Sequence, residues 1–241
     1  MLEQIFDQAS GLQALKILPS VRVLPVVSSA EGDGSFELLW WLNRALSQQG
    51  LTVEVVEGPQ GLCVHDAGAG VNEVVSRWVQ GVHPGSVVLV HASLEVLATL
   101  LTGSVARPLV ALADQPRSLV EAYNAVKVLS QVAGLRPVVL DLADGRTSAG
   151  VSSSRFANTL RRICKQHLAQ APVVWSLSYD HSMNACFDRR EESCVLKVLD
   201  TALLLENPES CIHVHSSYRS SPYPAAVPIV GVPDVHRQRH A

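Results

Sequence analysis

Residues 21–58 (VRVLPVVSSAEGDGSFELLWWLNRALSQQGLTVEVVEG) are where residue type and spacing come nearest to a recognisable chemistry. A β-rich apolar run leads into a Gly-containing turn, an apolar helical stretch and a second β-rich run. That is the order of a nucleotide-binding βαβ unit. Phosphate chemistry at such a turn needs Gly-Lys-Ser/Thr where the helix begins. The Lys reaches the β- and γ-phosphates, and the hydroxyl holds Mg²⁺. Here the turn, which contains Gly32, meets the helix at Gly34-Ser35-Phe36, with neither the Lys nor the metal-side hydroxyl in place. Glu31 and Asp33 add negative charge that repels phosphate. Backbone amides at a helix N-terminus still attract anions, so the loop disfavours ATP without closing every route to it. No cofactor is expected.

Other constellations are weaker. Cys211, His213 and His215 alternate and would share one face of a strand, where thiolate and imidazole suit zinc. No fourth ligand accompanies them, and no metal is expected. No GxSxG turn supports a nucleophilic serine. Five scattered cysteines without a CxxC pair read as reduced thiols of a cytosolic protein. Trp40 and Trp41 are adjacent in the first helix, which predicts a helix covered on much of its surface, with core packing favoured over a partner or dimer surface.

The elements that must position these residues follow from pattern. Continuous Val/Leu runs at 21–28, 52–56, 86–92, 108–114, 137–142 and 171–177 predict parallel strands buried on both faces. Between and after them lie helical stretches at 36–49, 72–81, 93–102, 117–133, 152–171 and 189–205. The fold class expected is α/β, one Rossmann-like domain with a mostly parallel sheet flanked by helices. Residues 1–18 form an amphipathic N-terminal helix, 19–215 the α/β domain, and the Ser/Pro-rich, finally basic stretch 216–241 a disordered tail. A 47% hydrophobic, 17% charged composition indicates an ordered globular chain, and a net charge of −3 gives no reason to expect nucleic acid. No apolar run approaches the ~20 residues of a membrane span.

Two segments carry a resemblance. Asp7-Gln8-Ala9-Ser10-Gly11-Leu12 precedes the first strand, and LVALADQPRSLVEAYNAVKVL (109–129) follows later with Pro116, Ser118, Ala122, Tyr123 and Lys127 in step. Together with the loop between them, they resemble the MinD/ParA superfamily of deviant phosphate-loop ATPases, in particular flagellar-number regulators of the FlhG (FleN) type. Gly34 and Gly50 are sixteen residues apart, the family's approximate spacing from the loop Gly to the Gly closing the first helix. In that register Ala30 replaces the signature Lys, Ser35 the phosphate Lys and Phe36 the Mg²⁺ hydroxyl. Glu57 stands for the Asp ending the second strand, and His91 for the metal-side Asp of the third. His65-Asp66-Ala67-Gly68 looks more like the latter motif but lies too close to Glu57 for a parallel crossover, and reads as a loop.

The resemblance implies a degenerate, non-hydrolysing relative that works by binding. Its partner would be the FlhF-type signal-recognition GTPase, contacted by the N-terminal helix through Ile5, Phe6, Asp7, Gln8 and Leu12. The bland alternative for that helix is packing on its own domain. The basic amphipathic helix that takes such proteins to membranes has no counterpart, so membrane recruitment is not expected. Two other readings stay open from sequence: an active or nucleotide-sensing ATPase, and a scaffold that kept the fold outside the flagellar pathway.

Overall fold

The computed structural model describes residues 20–29, 33–59, 61, 69–144, 154–179 and 189–205. The helix expected from sequence at Ile5, Phe6, Asp7, Gln8 and Leu12 lies outside them, as do Ala30, Gly32, the 65–68 motif, Cys211, His213, His215 and the C-terminal stretch.

Among the described residues seven strands alternate with six α-helices in chain order, and the sheet is mostly parallel. The elements are β1 (Val21–Val27), α1 (Asp33–Gln48), β2 (Val53–Glu57), α2 (Val71–Trp78), β3 (Val87–Ala92), α3 (Leu94–Leu101) and β4 (Leu109–Ala113). After them come α4 (Pro116–Lys127), β5 (Val138–Asp144), α5 (Arg155–His167), β6 (Val173–Tyr179), α6 (Arg189–Leu199) and β7 (Leu203–Leu205). The sheet order is β2-β3-β1-β4-β5-β6, with β7 antiparallel against the first half of β1.

This order decides which helix covers which face. The chain moves outward from β1 to β2 through α1, then reverses and steps through β3, β4, β5 and β6. Right-handed crossovers therefore put α1 on one face and α2 to α5 on the other. Two buried clusters result. One joins α2, α3, α4 and α5 to Val88, Val90, Val110 and Val139. The other joins α1 and α6 to Val87, Leu89, Leu109 and Leu140. Alternate strand residues feed opposite clusters, which is why the strands read as unbroken apolar runs.

Helix α1 buries Leu38, Leu39, Leu42, Ala45 and Leu46 at helical spacing. Gly50 ends it at φ +76°, a conformation open to glycine, with Leu51 N returning to Leu46 O at 3.2 Å. The adjacent indoles part company. Trp41 is buried, whereas Trp40 is 41% exposed, a correction to the expectation of core packing. One residue step turns a helix by about 100°, which carries Trp40 past the edge of the buried stripe that Trp41 and Leu42 share.

Several boundaries also move, among them those of the first and last helices. Helix α1 begins at Asp33, three residues earlier than periodicity indicates, so Ser35 and Phe36 are helical. The expected helix at 189–205 stops at Leu199. Thr201 turns the chain, its Oγ1 donating to Val198 O at 2.6 Å, and Leu203–Leu205 pairs with Val21–Val23. That stretch of β1 has no β4 partner, because β1 and β4 pair only at Val26 and Leu109. The open ladder selects strand over helix there.

Candidate functional site at the switch point of the sheet

The C-terminal ends of β1, β3 and β4 lie where the chain reverses direction across the sheet, the place where open α/β sheets bind ligands. The structure brings Ser35, Phe36, Glu57 and His91 together there.

Ser35, in the first turn of α1, is fully buried. Its Oγ accepts from Ser29 N at 3.2 Å and lies 3.3 Å from Ser29 Oγ and 3.1 Å from His91 Nε2. Phe36 covers the other side of that imidazole, with ring centroids 5.2 Å apart at 46°. Glu57 is the register partner of His91 across the β2–β3 pair. Position 35 is thus a buried hydroxyl tied to Ser29 and to the third strand.

Burial lowers the His91 pKa below its ordinary 6.5, and the nearby Glu57 charge works against that shift. The folded state therefore binds fewer protons than the unfolded state just below 6.5. Any stability contributed by neutral His91 is complete above that value and drains as pH falls through it. Melting temperatures measured on either side of pH 6.5 should fall less steeply in His91→Gln, which can keep the bond to Ser35, than in the wild type. Parallel slopes would remove His91 from the account.

Gly58 sits immediately after Glu57, with its N–H donating to His91 O at 2.8 Å. A Cβ added there would lie 2.5 Å from Ala92 Cβ, a rigid atom that cannot rotate away. Gly58→Ala should cost roughly 1–3 kcal/mol by forcing β2 from β3. Adding Ala92→Gly should recover part of the loss in a denaturation double-mutant cycle. Additive losses would show that the contact is not the cause.

Beside the cluster is a cleft of about 300 Å³, between the end of β1 and the first turns of α1, α3 and α4. Its lining includes Ser29, Gly34, Ser93 and Ser118. Glu37, Glu95 and Glu121 bring three carboxylates against the single guanidinium of Arg117, whose Nε lies 3.4 Å from Glu121 Oε1. No lysine lines it. A triphosphate entering would meet net negative charge and no ammonium group. The 109–129 segment contributes Ser118 and Ala122 to this lining, while Ser118 Oγ accepts from Ala113 N at 2.9 Å and so fastens the start of α4 to the end of β4. Sequence reasoning missed the cleft carboxylates, which are far apart along the chain and converge only through the strand order.

Elsewhere, Cys164 and Cys194 are buried in the core outside any disulfide, and burial pushes the Cys164 thiol up to about 11. Among the described residues no group of three or more His, Cys, Asp or Glu side chains could hold a metal ion, and no helix is long and apolar enough to cross a membrane. Compared with known proteins, the chain matches no protein-family model and no curated protein.

Proposed function

We propose that the chain is a non-hydrolysing regulator of the FlhG/MinD type, acting in the cytoplasm through protein contact. Its partner is the FlhF-type signal-recognition GTPase, and the process it modulates is flagellar placement or number. The observation that carries this reading is the Ser29–Ser35–His91 cluster, in which a buried hydroxyl fills the lysine position and is bonded to the chain itself. Hydrolysis of a nucleoside triphosphate depends on cationic and metal contacts to the transferred phosphoryl group. Losing one such electrostatic contact typically costs about a hundredfold or more in rate. Here the Lys position is Ser35 and the metal-side hydroxyl is Phe36, which packs on His91. The acidic lining of the neighbouring cleft supports the same conclusion.

With phosphate chemistry removed, binding is the activity left to the fold. The segment assigned to it is the N-terminal Asp7-Gln8-Ala9 stretch, where the spacing of Ile5, Phe6 and Leu12 predicts an amphipathic helix suited to docking into a groove. A pull-down of the cognate GTPase by the full chain tests this directly. Wild type should retain the GTPase, and Asp7→Ala/Gln8→Ala should lose most of it. Equal retention by both would sink the docking assignment.

A further inference from the structure

Strand β2 ends the sheet and, among the described residues, pairs only with β3. Its outer edge therefore presents backbone donors and acceptors that another strand could take up. Val53, Val55 and Glu57 alternate onto the face covered by α1, since Val53 packs against the α1-side core. Val55, in the middle, is 49% exposed, and beside it Phe36 and Trp40 of α1 are 55% and 41% exposed. This is an apolar stripe spanning a helix and an open strand edge.

The stripe has a definite vertical order. Phe36 packs on His91, which is level with Glu57. Helix α1 runs back down the sheet between parallel β1 and β2. One helical turn and two strand residues advance by similar distances, about 5.4 and 6.6 Å. Trp40 therefore stands level with Val55, and Arg44, whose guanidinium lies 5.4 Å over the Trp40 ring, level with Val53.

We infer that this edge is a two-fold interface, in which a second copy of the chain adds its β2 antiparallel with the axis at Val55. In that register Val55 meets the partner's Val55, Val53 meets the partner's Glu57, and Glu54 meets the partner's Val56. No carboxylate lies directly opposite another, which like charges on paired strands would penalise. Arg44, level with Val53, comes beside the partner's Glu57, and symmetry repeats the pair on the other side of the axis. The two Trp40 side chains flank the axis over the paired valines. This charge complementarity singles out a second copy as the occupant, because the positive and negative groups change places under the same rotation that pairs the strands. The association needs no nucleotide.

Sedimentation velocity on the nucleotide-free full chain should show a monomer–dimer equilibrium that shifts with protein concentration. Val55→Arg places two like charges on the axis and should weaken association at least about tenfold. Thermal melts report whether that variant is folded. Arg44→Glu and Glu57→Arg should each weaken the dimer, and the two together should restore it towards wild type. A wild type that stays monomeric at every concentration would overturn the proposal. So would a dimer indifferent to Val55→Arg, or a double charge exchange that fails to recover what the single changes lose.

Discussion

Asp141→Ala should destabilise the fold by about 3 kcal/mol, although the residue is remote from the loop at Ser35. Asp141 is a β5 carboxylate buried to 1% exposure. It accepts from Ser154 N at 2.9 Å, Ser154 Oγ at 2.7 Å and Ser176 Oγ at 3.3 Å. Ser154 is in turn the N-cap of α5, its Oγ accepting from Ala157 N at 3.1 Å. One carboxylate thus ties β5, β6 and the start of α5 together. Alanine leaves donors without an acceptor and removes charge-assisted bonds, each worth roughly 1.5–3 kcal/mol though not additive. Asp141→Asn keeps one acceptor oxygen and should fall between alanine and wild type in urea denaturation. If alanine unfolds at the wild-type midpoint, the triad of bonds contributes nothing.

Leu42→Ala is the second large effect, expected at roughly 2–5 kcal/mol. Leu42 is fully buried at the centre of α1, in the cluster that joins that helix to β1, β3 and α6. Truncation loses the transfer energy of the side chain and leaves a cavity that a sheet-backed helix cannot collapse. Alanine's higher helix propensity offsets only a few tenths of a kcal/mol. A loss near 3 kcal/mol should lower the melting temperature of a domain this size by about 6–12 °C. Trp40→Ala, two residues away on the partly exposed side, should cost much less. Comparable losses from the two would contradict the assignment of α1's buried face.

The α/β architecture was legible because strands buried on both faces leave a strong signal in unbroken Val/Leu runs. Gly50 was legible as the end of α1 because a helix terminus at positive φ favours glycine. The resemblance, not composition or periodicity, singled out Ser35 and His91, which lie 56 residues apart and within hydrogen-bond distance in the fold. Other features had no local signature. Asp141 sits inside an apolar run, PVVLDL, and nothing nearby in sequence announces Ser154 and Ser176 as its donors. Strand β7 continues what reads as a helical segment, and only the unpaired part of β1 makes it a strand. The cleft gathers Glu37, Glu95, Arg117 and Glu121 from three helices, so it depends on the strand order rather than on any motif.

On the proposed reading, Ser35, Phe36 and His91 stand where a phosphate-loop enzyme has its phosphate lysine, metal-side hydroxyl and metal-side aspartate. A sensitive Mg²⁺-ATP hydrolysis assay on the wild-type full chain tests it most directly, run beside Ser35→Lys/Phe36→Thr. The account predicts no turnover above background by the wild type. Robust turnover by the wild type would contradict it.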